Sequence, residues 1–188
     1  MPPQPKIVFI SSSFEAESRS RPLARCAERH LAGLGVRTDF IDLCQEPPTP
    51  YPAPPGHPSL ESLKERFNAA DGWVLASPVH NWSVSSALTA FLNHALDSDQ
   101  RRYRPFVLLA GAGSDRSHLA FDGVGRMMIY EISAVQVGPA IVASGEMVNK
   151  KTGVPDSKLD ARIRTAMVAL VAFTKASIDH AASVRKEG

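Results

Sequence analysis

Apolar residues recur along this chain in two alternating patterns. Short, nearly unbroken apolar runs at 6–10, 73–76 and 106–110 suit strands buried on both faces, as in a parallel sheet. Residues 36–43 and 135–143 add two more strands. Between them the apolar positions take up helical spacing. Leu23, Ala27, His30, Leu31 and Leu34 lie near one stripe of a helix over 18–34, which Gly33 and Gly35 stop. A second helix is predicted over 60–70, capped by Ser59. Val84, Ala87, Leu88, Phe91, Leu92, Ala95 and Leu96 mark a third over 83–96. Residues 119–133, weakened by Gly123 and Gly125, and 156–180 give the last two. Five strands alternating with five helices predict a doubly wound α/β fold, a five-stranded parallel sheet with helices on both faces. The whole chain, 1–188, reads as one domain. Only 45–58 breaks the rhythm: it holds seven of the fifteen prolines and reads as stiff, extended backbone.

Composition narrows the class. With 188 residues, 44% hydrophobic and 21% charged, the chain has the profile of an ordinary globular protein. Lys and Arg exceed Asp and Glu by only 2 charges, too few to draw it onto nucleic acid or anionic lipid, so neither partner is expected. No uncharged apolar run reaches the ~18–20 residues of a membrane span, and the N-terminus does not read as a signal peptide. Cys26 and Cys44 show no motif spacing; a reduced, cytoplasmic protein without a metal is the expectation.

In a sheet of this kind ligands bind beyond the carboxyl ends of the strands, where the strand order reverses. Three loops qualify. The first, 11–21, is rich in serine and enters a helix, which offers hydroxyls, free amides and the positive end of a helix dipole. It reads as a phosphate cradle or as a plain serine-capped loop, and it carries neither a dinucleotide fingerprint nor a P-loop. In the second, 77–83, Pro78 is expected to end the strand. His80, Asn81 and Trp82 then suit the edge of a planar heterocycle, or Trp82 packs under a neighbouring loop and His80 is structural. The third, 111–118, puts Gly111, Ala112, Gly113 and Ser114 where a flat ligand could lie against bare backbone, unless it is a simple mobile connection.

The segment Ala70, Asp71, Gly72, Trp73, Val74, Leu75, Ala76, Ser77, Pro78, Val79, His80, Asn81 resembles the A-D-G-[apolar]3-A-[ST]-P-x-Y-N stretch of the NAD(P)H-dependent FMN reductase family. That family has a flavodoxin-like fold and includes monooxygenase-feeding FMN reductases and quinone, azo and chromate reductases. The resemblance runs from Lys6 to about Phe173. It implies an enzyme in which hydride passes from NADPH or NADH to FMN and on to a small-molecule electron acceptor. It also implies that Ser13, Ser18 and Ser20 hold the FMN phosphate. Pro78, Val79, His80 and Asn81 would border the isoalloxazine ring, and Gly111, Ala112, Gly113 and Ser114 its other side. His80 and Asn81 would tune the flavin, and no side-chain acid, base or nucleophile is needed for hydride transfer.

The chain departs from the family pattern at Glu15, where an arginine is usual; Arg19 or Arg21 would supply the missing charge. His80 replaces a tyrosine, Ser86 a glycine and Thr89 a lysine, and Asp122-Gly123 stands where the monooxygenase-feeding members have Asp-Tyr. Arg116 is a candidate for the pyridine-nucleotide phosphate or an ordinary surface arginine. The alternatives are an FMN-containing quinone, azo or chromate reductase, and a flavodoxin-like electron carrier or binding protein. Residues 81–96 contain no Asp, Glu, Lys or Arg, which predicts a homodimer or homotetramer joined through the 83–96 helix.

Overall fold

The computed structural model describes residues 4–15, 17–54, 56–96, 103–149 and 152–187; the first three residues of the N-terminal reading lie outside them. Five parallel strands form the sheet: β1 (Lys6–Ser11), β2 (Arg37–Asp42), β3 (Gly72–His80), β5 (Pro105–Gly111) and β6 (Val135–Gln136), in the order β2-β1-β3-β5-β6. A short β4 (Ser83–Val84) turns back antiparallel on β3, and β7 (Ile141–Ala143) pairs with β5 beyond β6. The predicted strand at 135–143 is therefore two pieces. Gly138, at φ 74, and Pro139 break the ladder between them. The sheet order reverses between β1 and β3, so the carboxyl ends of these two strands flank the crevice.

Alternate strand residues feed two cores, one on each face. Val8, Ile10, Trp73, Leu75, Phe106 and Leu108 face α2 (Pro58–Asn68), α3 (Ser86–Ala95) and α4 (Asp122–Ile132). Ile7, Phe9, Val74, Ala76, Val107 and Leu109 face α1 (Ser20–Leu31) and α5 (Ser157–Glu187). With both faces covered, the strands can be apolar at every position, which is why they stand out as unbroken runs. Trp73 is fully buried, and its indole N–H donates to the Phe67 carbonyl at 3.1 Å, so its one polar atom is satisfied.

Several boundaries differ from the sequence reading for local reasons. The first helix begins at Ser20 and ends at Leu31; Gly33 and Gly35, at φ 80 and 73, stop the turn that follows. The second starts at Pro58 with His57 as N-cap, and Ser59 lies inside it, bonded to His57 Nδ1 at 2.9 Å. Proline fits there because the first helical N–H has no partner to lose. The third helix starts at Ser86, since Ser85 caps it by accepting the Leu88 amide at 3.2 Å and the residues before it form β4. The fourth opens as a 3-10 turn, Asp115–Phe121, and the fifth continues to Glu187.

Thr49 and Tyr51 of the proline-rich segment pack on the last turn of α3. His94 Nε2 meets the Thr49 carbonyl at 3.2 Å, and the Tyr51 ring stands edge-on to His94 at 5.0 Å. Part of the charge-free surface of α3 is thus covered by the chain itself, and Ser86 and Asn93 remain its exposed positions.

Candidate functional site

Three loops meet at the carboxyl ends of β1, β3 and β5. They enclose a cleft of about 200 Å³ lined by Glu15, Glu17, Ser18, Arg19, Pro78, Val79, His80, Gly111, Ala112 and Gly113. Eight of the twelve residues singled out from the sequence line it. Ser13 and Ser20 are buried in the first loop and at the start of α1, whereas Asn81 and Ser114 are exposed at its margin. The side chain of Arg116 lies outside the described residues.

The first loop is held from beneath by Arg21. Its guanidinium bonds Asp42 Oδ2 at 2.9 Å, the Ser13 carbonyl at 2.6 Å and the Glu15 carbonyl at 3.1 Å. An arginine so paired with Asp42 and two carbonyls organises the loop, and its charge is already partly matched by Asp42. Arg19 is different. One of its terminal nitrogens reaches the Ala112 carbonyl at 3.4 Å, while its Nε is buried and has no partner among the described residues. An N–H of a cation left buried and unpaired is costly, and an anion in the cleft would satisfy it. The Ser18 and Ser20 hydroxyls bond each other at 3.0 Å, and Ser13 Oγ accepts the Glu15 amide at 3.3 Å, which leaves its proton to donate.

The β5 loop approaches from the other side. A Cβ on Gly111 would lie 2.7 Å from the Ser20 amide nitrogen and 3.1 Å from Arg19 Cβ, so only glycine lets the start of α1 rest on the end of β5. The Ala112 amide already donates to the Ala143 carbonyl at 2.9 Å, and no described residue accepts from the amides of Gly113 and Ser114.

Pro78 does not end its strand. It pairs with Gly111 inside β3, which continues to His80. Ala76 directs its carbonyl toward β1, where it accepts the Ser12 amide at 3.0 Å. Pro78, two residues on, faces the same side beyond the end of β1, so its missing N–H costs no ladder bond. The strand then folds over a two-residue turn made by Asn81 (φ 48) and Trp82 (φ 63), with His80 paired to Ser83. Both turn residues are left-handed, as a tight hairpin of this twist requires. Trp82 is 64% exposed, so it does not pack under a neighbouring loop. A tryptophan held there costs about 1 kcal/mol. Trp82→Gly is therefore expected to raise the melting temperature by roughly 2–4 °C. A lower melting temperature would mean that the ring makes stabilising contacts greater than this strain.

Sequence reasoning missed the serines that tie the loops together. Ser85 Oγ donates to Ser12 Oγ at 2.8 Å, Ser12 Oγ donates to the Ala76 carbonyl at 3.2 Å, and Ser77 Oγ accepts the Ser85 amide at 2.9 Å. Ser12 and Ser85 are 73 residues apart, a link that no local pattern reports.

Residues 5–148 match the model of the family described as NADPH-dependent FMN reductase. The chain belongs to this family. Among curated proteins it is similar to the FMN-dependent NADPH-azoreductase of Staphylococcus aureus, 27% identical over 115 residues. That alignment covers 57% of this chain and 61% of the azoreductase, so the chain spans about three fifths of the curated relatives it matches. Among solved structures, an NADH:FMN oxidoreductase in its apo form superposes with a TM-score of 0.72 at 19% identity, covering 89% of this chain and 88% of that one. The flavoenzyme NAD(P)H:(acceptor) oxidoreductase of Paracoccus denitrificans gives 0.74 at 15% identity, covering 92% and 98%. These structures share the doubly wound, flavodoxin-like sheet of this reductase-family chain. No helix among the described residues is long and apolar enough to cross a membrane.

Proposed function

We propose that this protein is an NAD(P)H-dependent flavin oxidoreductase that binds FMN in the cleft between β1, β3 and β5. The observation that carries the reading is the pairing of a glycine-only approach at Gly111 with the buried Nε of Arg19, unpartnered among the described residues, in a chain of this family. Bound FMN would supply the hydride-accepting ring, with NADPH or NADH as donor. The chain's own part is to bind and orient. Arg19 Nε–H, the hydroxyls of Ser13, Ser18 and Ser20 and the first amides of α1 are the donors for the phosphate. The backbone from Pro78 to Asn81 borders one edge of the ring, with His80 and Asn81 as polar groups against it. On the other side the amides of Gly113 and Ser114 are free to donate, and Ala112 contributes only its surface. Such fixed donors stabilise negative charge on a reduced ring without reorganising.

The exposed Trp82 beside the cleft favours an aromatic acceptor, in keeping with the similarity to an azoreductase. The cleft itself is smaller than the ~300–1,000 Å³ usual for a cofactor. A second subunit docking on the uncovered part of α3 would complete it, in a homodimer or homotetramer working in the cytoplasm.

Anaerobic visible spectra of the purified protein with FMN, recorded before and after NADPH and then NADH, test the reading. Bound flavin that bleaches at a catalytic rate is the expected result and identifies the donor. Bound flavin that neither nucleotide bleaches would mark an electron carrier, and no binding would dismiss the site. Turnover with free FMN against turnover with an azo dye then separates the two acceptor classes.

A further inference from the structure

Away from the cleft, α1 and α5 bring together three side chains that the flavin reading does not use. Cys26 and His30 stand four residues apart on one side of α1, and Asp160 lies in the first turn of α5. Asp160 Oδ1 accepts from Cys26 Sγ at 3.2 Å and meets His30 Nε2 at 2.9 Å. One ligand atom from each residue lies within 4.8 Å of the other two. Cys26 is six residues from Ser20, about 9 Å along the helix, so the cluster is separate from the flavin cleft.

We propose that Cys26, His30 and Asp160 form a binding site for a borderline-soft divalent cation of the zinc type, which clamps α1 to α5. Tetrahedral zinc holds sulfur at ~2.3 Å and nitrogen or oxygen at ~2.0–2.2 Å, which sets neighbouring ligand atoms roughly 3.3–3.6 Å apart. The two separations from Asp160 Oδ1, 3.2 Å to Cys26 Sγ and 2.9 Å to His30 Nε2, are already close to that spacing. Thiolate and imidazole select zinc-like ions over magnesium or calcium, which take oxygen ligands. Thiolate and carboxylate together carry two negative charges, so a site filled by a divalent cation would be neutral. The His30 and Asp160 side chains keep 21% and 41% exposure, leaving an entry route and a fourth position for water.

Burial, and then the neighbouring Asp160, push the Cys26 thiol up to about 11, while His30 and then Cys26 hold the Asp160 carboxyl below its usual range. Without a cation Cys26 is a protonated donor to Asp160. Binding exchanges that thiol proton for the metal and releases it to solvent. Arg29 favours the thiolate and Arg164 the carboxylate, and both charges oppose an incoming cation.

Titration of the full-length protein with Co²⁺ tests the site. A sulfur-to-cobalt charge-transfer band saturating at one equivalent, and bleached by Zn²⁺, is expected. It should persist in Cys44→Ser and vanish in Cys26→Ser. Zn²⁺ should raise the melting temperature of the wild type but not of His30→Gln, whose partly exposed side chain can be changed without emptying the core. FMN affinity should not differ between wild type and His30→Gln, which separates this site from the flavin reading. Absence of the band in the wild type, its survival in Cys26→Ser, or Zn²⁺ affinity in His30→Gln within threefold of wild type would overturn the proposal and leave a hydrogen-bonded tie between two helices. If Cys26→Ser does not fold, the His30→Gln affinity decides.

Discussion

Gly111→Ala is expected to lose about 2 kcal/mol of stability and at least tenfold in FMN affinity together. The added Cβ would meet the Ser20 amide nitrogen at 2.7 Å and the Arg19 carbonyl carbon at 3.2 Å, backbone atoms that no rotamer change can move. Something must shift, and the sheet is the stiffer side. Gly111 is in register with Pro78 on one side and Ala143 on the other. The start of α1 therefore moves, and with it Arg19, Ser20 and the loop that ends at Ser18. For a chain of this size the melting temperature should fall by roughly 4–8 °C. Urea denaturation and quenching of flavin fluorescence read the two effects separately. Lost stability with unchanged FMN binding would place the flavin phosphate away from the α1 terminus. Wild-type stability would mean that the close approach of β5 and α1 is not tight in solution.

How much of this site the sequence made legible depends on the range over which each signal acts. β1, β3 and β5 were readable because a strand buried on both faces needs apolar residues at every position. The fold class followed, and so did the three loops. Pro78 misled because whether a proline ends a strand depends on the neighbour it faces, and only the register shows that β1 has already stopped there. The β3–β4 hairpin was hidden because Asn81 and Trp82 adopt the turn usually signalled by asparagine and glycine. The roles of Arg19 and Arg21 could not be told apart in the sequence. Both precede or open α1, yet Arg21 is held by Asp42 from β2 while Arg19 keeps an unpaired nitrogen. Asp160 was invisible as a neighbour of Cys26 for the same reason, being 134 residues away. Local patterns report which face of an element is buried; they do not report which two surfaces the topology sets side by side.

Glu15→Arg is expected to tighten FMN binding by about tenfold or more while leaving riboflavin affinity unchanged. Glu15 and Glu17 both line the cleft, so the proposed phosphate end carries two carboxylates against one guanidinium among the described lining residues, that of Arg19. A carboxylate about 7 Å from a phosphate dianion costs ~1 kcal/mol even in water-like surroundings. Replacing it with a cation reverses the sign, so the total change approaches ~2 kcal/mol, and Glu15→Gln should give about half of that. The substitution leaves the loop in place, because it is the backbone of residue 15 that Ser13 and Arg21 hold. Glu15 is exposed, so the gain should shrink as salt rises from low to physiological strength. Riboflavin lacks the phosphate and reports the ring contacts alone. A parallel change for both flavins would mean that Glu15 acts on loop conformation, and no change for either would place the phosphate elsewhere. In the proposed site the two wild-type carboxylates would make the phosphate a weak anchor. FMN bound there should then exchange readily.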